Sequence, residues 1–156
     1  MDIDFLKGEW VGEGTGQYPT ITPFRYREML TFSSDGRAFL RYEQLSHDLL
    51  GDRAMHVESG YFRTPSPGVV EAMISQPIGF SEVLLGTVEV LGDLTVMVLE
   101  SSSVGRSPTA KEVVRTRRSF RVQGHLLSYV FEMEGVGQPM SLHLESSLHR
   151  LEESRA

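Results

Sequence analysis

Apolar residues in this chain fall into about ten short segments of strand length, separated by turn residues such as Ser33 to Gly36, Gly92-Asp93 and Gly124. The predicted strand segments are 9–17, 24–32, 37–46, 54–64, 69–76, 81–91, 94–102, 111–122, 125–134 and 138–150. Short strands at this spacing, rich in β-branched and aromatic residues, indicate a sandwich or a barrel. Long segments with a period of 3.6 residues are missing, and only residues 1–7 are expected to form a short turn or helix.

Several segments alternate between apolar and polar positions. In segment 125–134, Leu127, Tyr129 and Phe131 share one face, and the other face carries polar residues such as Ser128. One-sided burial is typical of antiparallel sheets, and Gly-Asp or Asp-Gly links favour consecutive hairpins. We therefore expect one domain over residues 1–156, an all-β, closed, antiparallel up-and-down barrel of about ten strands, because closure removes both sheet edges. Since eight strands already leave room for side chains or one small ligand, ten predict a ligand cavity.

Composition and charge narrow the classes of function. The chain has no cysteine, which excludes disulfides, thiolate metal sites and a cysteine nucleophile. Its net charge of −6 disfavours binding to nucleic acid. The one basic cluster, Arg115, Arg117, Arg118 and Arg121, is interpreted as the solvated side of a strand. No signal peptide and no membrane span are evident, so we expect a soluble cytoplasmic protein without a membrane partner.

The N-terminal run from Gly8 to Gly16, GEWVGEGTG, places Trp10 and three glycines on one face of an extended strand. Glycines within a strand mark a bend or the close approach of a backbone or ligand. A dinucleotide-binding loop would need a preceding strand and a following helix, whereas here Tyr18-Pro19 follows. The structural interpretation is a bent strand whose tryptophan plugs one end of the barrel.

The wider run GEWVGEGTGQYPTITPFRYRE resembles the opening of the nitrobindin family, whose signature is GxWxGxG followed by YPTI and a PFxYxE strand. The resemblance continues in order through MHVESGY at 55–61, PTAKE at 108–112, VGQP at 136–139 and HL at 143–144. It therefore covers nearly the whole chain.

The nitrobindin resemblance implies a ten-stranded barrel like the lipocalins and fatty-acid-binding proteins, holding one ferric haem b near one end. It implies binding of nitric oxide and isomerisation of peroxynitrite to nitrate, with His143 as the proximal iron ligand. The residues that the resemblance places near the cofactor are Met55, His56, Gln76 and Met133, with Thr20 and Lys111 as further contacts. No catalytic acid or base is assigned.

The local pattern around His143 conflicts with this role. In segment 138–150, Leu142, Leu144 and Leu148 form an apolar face, and His143 lies on the opposite, polar face. Two explanations remain open. A β-bulge near 142–144 would turn the histidine inward. Alternatively, the leucines face a partner subunit, which predicts a homodimer. A related conflict affects Met55 and His56, since neighbouring strand residues point to opposite faces unless a bulge intervenes.

Two alternative functions remain open besides that of a haem protein. One is a non-enzymatic carrier of a fatty acid or another lipophilic ligand, with an arginine at the carboxylate. The other is a structural or interaction barrel with a filled core. A zinc or non-haem iron site is not favoured, because no HxH or HExxH spacing is present, and a serine hydrolase lacks the GxSxG motif.

Overall fold

Ten antiparallel strands close into a barrel in the computed structural model, which describes residues 2–51 and 53–152. A short 3₁₀ helix at Asp4–Leu6 precedes the strands. The strands are β1 (Gly8–Tyr18), β2 (Ile21–Ser33), β3 (Phe39–Asp48), β4 (Ala54–Ser66), β5 (Val69–Gln76), β6 (Phe80–Leu91), β7 (Leu94–Arg106), β8 (Arg115–Gln123), β9 (Leu126–Gly135) and β10 (Gln138–Arg150). The predicted fold class is confirmed.

Each strand pairs with its neighbours in the chain, and β1 pairs with β10 to close the barrel. Gly92 and Gly124 adopt φ of 68° and 59° in the tight turns after β6 and β8, a conformation that glycine reaches without strain. The main difference from the predicted segments is at 111–114, which lies in the loop before β8 rather than in a strand. Val113 in that loop is buried, so an apolar residue there reflects a loop packed on the barrel.

One end of the barrel is closed by the N-terminal segment. Ile3, Leu6 and Trp10 are fully buried there, and the Trp10 indole Nε1–H donates to the Leu6 carbonyl oxygen at 2.8 Å. The Arg150 guanidinium lies 4.3 Å from the Trp10 ring centroid and donates to the Phe5 carbonyl oxygen. A buried indole needs such a partner for its N–H. Trp10 thus plugs this end, as the glycine-rich run predicted.

The interpretation of the arginine cluster as solvated is wrong for Arg118. Arg115, Arg117 and Arg121 are exposed, but Arg118 is fully buried inside the barrel. Its guanidinium donates to both carboxylate oxygens of Glu58, at 2.8 and 3.0 Å, and from Nε to Glu82 at 2.8 Å. The physical reason is that Glu58 and Glu82 supply opposite charge and, together with the Tyr129 hydroxyl, accept the hydrogen bonds of the guanidinium, which a charge needs in a low-dielectric interior.

Within the described ranges, 2–51 and 53–152, no helix has the length and apolar character needed to cross a membrane.

Candidate functional site

A cavity of about 620 Å³ opens at the end of the barrel opposite Trp10. This volume lies in the range of small-molecule sites, about 300–1,000 Å³. The walls are mainly apolar, and polar side chains from several strands and loops lie among the apolar ones. The apolar and aromatic lining residues are Tyr18, Ile21, Phe24, Tyr26, Met55, Ile78, Phe80, Val113, Phe131, Met133, Val136 and Leu144. The polar and charged lining residues are Thr20, Gln44, Ser46, His56, Gln76, Lys111, Glu112 and His143.

The glycines of β1 make room for one wall of this cavity. A Cβ atom added at Gly14 would overlap the ring of Tyr26, and one at Gly16 would overlap the ring of Phe24. Both aromatic residues line the cavity from β2, opposite these glycines in the register. The glycine-rich run predicted a close approach to the backbone. In the structure, the rings of Tyr26 and Phe24 are what approach the β1 backbone.

A β-bulge in β10 turns His143 into the cavity. Leu142 pairs with Glu132 and Leu144 pairs with Phe131, so His143 is an extra residue on its strand. A bulge of this kind reorients a side chain. The leucine at 144 stays in the core, as does Leu148. The structure therefore contains the bulge named in the first explanation, and it contradicts the second, in which these leucines face a partner subunit.

The His143 ring is held by the backbone and by two aromatic rings. Its Nδ1 lies 2.9 Å from the Gln17 carbonyl oxygen. Because a carbonyl only accepts, Nδ1 carries the hydrogen. The rings of Tyr18 and Phe131 lie 5.4 and 6.0 Å away between centroids. Burial lowers the pKa of His143, although the bond to Gln17 partly opposes this effect. The neutral ring leaves Nε2 with a free lone pair, the arrangement of an imidazole metal ligand.

The seven residues that the sequence placed near the ligand all line this cavity. Thr20 lies in the turn between β1 and β2, and Lys111 lies in the loop before β8. The remaining five are strand residues, namely Met55 and His56 on β4, Gln76 on β5, Met133 on β9 and His143 on β10. Two adjacent residues of β4 both reach the cavity because Ser46 pairs with His56 while His47 pairs with Ala54, so a bulge intervenes.

Beneath the polar part of the cavity lies a buried carboxylate, Glu58. The Glu58 Oε1 atom is 2.9 Å from His56 Nε2 and accepts from Gln76 Nε2 at 2.8 Å. Burial alone would raise the pKa of Glu58, but the neighbouring Arg118 and His56 hold it at about 2. Arg118 in turn stacks 4.6 Å from the ring centroid of Phe131, which lines the cavity.

The partners of the site residues, Gln17, Glu58 and Arg118, were not predicted from the sequence. The Gln17 carbonyl has no side-chain signal, so no pattern identifies it as the partner of His143. Glu58 and Arg118 did carry a signal. Arg118 shares its strand face with Phe120 and Glu58 shares its own with Phe62, and such alternation places polar side chains on the core side.

A second buried carboxyl, Glu28, lies on β2 beside this group. Its side chain is 3% exposed and accepts a hydrogen bond from Gln44. Burial raises the pKa of Glu28 to about 7, and the interactions with Ser146 and Gln44 offset only part of that effect. Glu28 therefore titrates near neutral pH, in contrast to the ionised Glu58.

His143 offers the cavity one metal-binding nitrogen, which fits a cofactor that already carries its metal. In residues 2–51 and 53–152, no group of three or more His, Asp or Glu side chains is placed to hold a metal ion. One neutral imidazole with a fixed second nitrogen, in an apolar cavity, would suit haem iron, and His143 is the residue that would hold it. The fold and site together define a class, a small closed β-barrel with a ligand cavity and one inward imidazole.

Nearly the whole chain matches one known protein family. The family model described as the THAP4-like, heme-binding beta-barrel domain matches residues 1–150. The chain belongs to this family.

Relatives with assigned activities are similar over most of the chain. Peroxynitrite isomerase 2 of Mycobacterium avium is 44% identical over 145 residues, covering 93% of this chain and 90% of the relative. Peroxynitrite isomerase 1 of Mycobacterium tuberculosis is 43% identical over 148 residues, with the same two shares of coverage. The crystal structure of Rv2717c from M. tuberculosis matches with a TM-score of 0.94 and 41% identity, covering 96% of this chain and 95% of that chain.

Proposed function

We propose that this protein binds one haem b in the barrel cavity through His143 and that it isomerises peroxynitrite to nitrate. The observation that carries the proposal is the geometry of His143. The β10 bulge brings its ring into the cavity, and the Gln17 carbonyl fixes the hydrogen on Nδ1, so that Nε2 is the free donor atom. Membership of a haem-binding family and the similarity to peroxynitrite isomerases support the same function.

The remaining cavity residues would surround the cofactor. Met55 and Met133 offer polarisable, adaptable contacts to a flat ring. Thr20 and Lys111 lie at the loop end, where an ammonium and a hydroxyl suit the propionate carboxylates of haem. His56 and Gln76 supply the polar part of the wall. When bound, haem supplies the iron that coordinates nitric oxide or peroxynitrite.

The chain's own contribution is to fix the imidazole, limit water and leave space for a small ligand. The rings of Tyr18 and Phe131 restrain the His143 ring, and the Tyr18 hydroxyl donates to the carbonyl oxygens of Met133 and Gly135 at 3.0 and 3.2 Å. These bonds tie β1 to the end of β9 at the cavity. An imidazole held in this way loses little conformational entropy when it binds metal, because its ring is already ordered.

The fatty-acid carrier is the second candidate, and the interior charges weigh against it. Arg118 is the buried arginine that a fatty-acid carboxylate would need, yet Glu58 and Glu82 already occupy its guanidinium. These groups give the barrel interior one more carboxylate than guanidinium. A further carboxylate placed there would be repelled and would lack a donor. A lipophile would therefore have to bind with its headgroup near Lys111 at the mouth.

The decisive experiment is titration of the purified apoprotein with hemin, followed by visible absorption. We expect a Soret band with one haem per chain. The His143→Ala variant should shift the band and weaken haem binding at least about tenfold, the order found when metal-site support is lost. His149→Ala, an exposed histidine on the same strand, is the matched control and should match the wild type.

Haem-loaded protein is then mixed rapidly with peroxynitrite, and decay and nitrate yield are measured. The wild type should accelerate decay in proportion to its haem content, with nitrate as the main product. Failure of the wild type to bind hemin, or an unchanged spectrum in His143→Ala, would refute the proposed site. Haem binding without faster decay would leave a haem protein and refute the isomerase.

A further inference from the structure

The contact between His56 and Glu58 joins the cavity wall to the buried charges beneath it. His56 lines the cavity with a half-buried side chain, whereas the Glu58 side chain is only 1% exposed. The two residues lie two positions apart on β4, so their side chains share the inward face. Their separation of 2.9 Å is that of a hydrogen bond between a ring N–H and a carboxylate.

Glu58 cannot turn away from His56 without breaking other bonds. Arg118 donates to both of its oxygens, Gln76 donates to Oε1, and the Tyr42 hydroxyl donates to Oε2 at 3.1 Å. All of these partners except His56 are at least nine-tenths buried. A carboxylate held by this many donors is ionised and fixed in orientation, so it acts as a rigid acceptor for the ring.

This contact decides which ring nitrogen of His56 is left without a hydrogen-bond partner. An ionised carboxylate only accepts, so the hydrogen between the two residues is carried by His56 Nε2. The other ring nitrogen, Nδ1, has no hydrogen-bond partner in the described part of the chain. An imidazole with one nitrogen on a buried carboxylate and the other free at a cavity has the arrangement of a general acid–base group.

The charged and titratable groups near His56 come from several strands. Glu58 and Glu82 face a single guanidinium, Arg118, so the group carries one uncompensated negative charge. Glu28 on β2 interacts electrostatically with His56. His143 on β10, the other imidazole of the cavity, does so as well.

We propose that His56 is the group that exchanges a proton with the ligand in the cavity, and that Glu58 is the positioning residue that presents its Nδ1. This inference rests on the proposed function, since the ligand concerned is peroxynitrous acid, the conjugate acid of peroxynitrite. The O–H bond of the acid breaks and an N–H bond forms at Nδ1. The electron pair stays on oxygen, which leaves the peroxynitrite anion beside an imidazolium paired with Glu58. The imidazolium returns its proton to water after the product leaves.

The first test needs no cofactor. Long-range ¹H–¹⁵N correlation spectra of the apoprotein assign the hydrogens of the His56 ring, and His56→Gln identifies its signals. We expect a hydrogen on Nε2 in the wild type, and a shifted population of ring forms in Glu58→Gln, because a neutral amide accepts more weakly than a carboxylate. A neutral ring with its hydrogen on Nδ1 alone would overturn the proposal.

The second test measures peroxynitrite decay at equal haem occupancy of each variant. His56→Gln should slow the decay by about 10²-fold, the lower end of what a positioned acid–base group contributes. Glu58→Gln should slow it by about tenfold or more, as expected for the carboxylate partner of a functional imidazole. His149→Gln is the control and should keep the wild-type rate.

The outcomes separate this proposal from the proposed function. If the wild type is active and His56→Gln keeps its rate within about twofold, far below the usual contribution of an acid–base group, the role of His56 is refuted while the isomerase stands. If the wild type binds no haem or does not accelerate decay, the proposed function fails, and the role of His56 toward this ligand fails with it. If Glu58→Gln does not fold, His56→Gln decides the question alone.

Discussion

Replacing Glu28 by glutamine should stabilise the protein at pH 8 and have far less effect at pH 5. Glu28 is buried on β2, where burial raises its pKa to about 7. A carboxyl whose pKa is raised on folding binds its proton more tightly in the native state. Its contribution to stability is therefore fully present below the unfolded pKa and is lost as the pH rises through the folded pKa.

The magnitude follows from the two pKa values. A pKa of about 7 in the folded chain against 4.5 in the unfolded chain corresponds to about 3 kcal/mol of stability lost between acid and mildly alkaline pH. Glutamine does not ionise, and its carbonyl oxygen can still accept the hydrogen bond that Gln44 donates. The variant therefore avoids the loss while keeping the size of the side chain and its hydrogen bond with Gln44.

Urea unfolding of the apoprotein at pH 5 and pH 8 measures this difference, with fluorescence of Trp10, the single tryptophan, as the probe. The free energy of unfolding of Glu28→Gln relative to wild type should rise by about 2.5 kcal/mol between the two pH values, because part of the loss in the wild type has already occurred at pH 5. Glu43→Gln, an exposed glutamate on β3, is the control and should show no such rise. An equal difference between variant and wild type at both pH values would refute the reasoning.

Two further predictions concern the barrel. Arg118→Met should destabilise the protein by about 3–5 kcal/mol in urea unfolding, because it leaves two buried carboxylates without their cation, whereas exposed Arg117→Met should change little. Gly60→Ala should cost about 1–3 kcal/mol in the same assay, since its Cβ would overlap the Met73 carbonyl oxygen on the adjacent strand. An Arg118→Met variant as stable as the wild type would contradict the account of the buried charges, and a neutral Gly60→Ala would contradict the close backbone approach.

The strand pattern could be predicted from the sequence because its signals are local. Alternation with a period of two and glycines in the turns determine where the strands lie and that neighbours form hairpins, and all ten segments correspond to strands. The plug at Trp10 also followed from local features, a large aromatic residue beside glycines on one face. The family resemblance then named the side chains around the cavity, which the strand pattern alone did not select.

Only the tertiary structure decided how His143 reaches the cavity. Alternation assigns a residue to a face on the assumption of an unbroken register, and a single extra residue in β10 reverses that assignment. The bulge at Met55 acts in the same way on β4. The partner of the His143 ring, the Gln17 carbonyl, comes from a strand 126 residues away in sequence and has no side-chain signature.

The buried charges were decided by tertiary structure for a different reason. By itself, a strand rich in arginine is typical of a solvated face, because an unpaired charge is strongly disfavoured in the interior. Arg118 lies inside because Glu58 and Glu82, 60 and 36 residues earlier in the chain, meet it there. The sequence by itself thus determined the strands, the turns and the plugged end, whereas closure of the barrel decided which distant side chains meet, and with them the charges beneath the cavity.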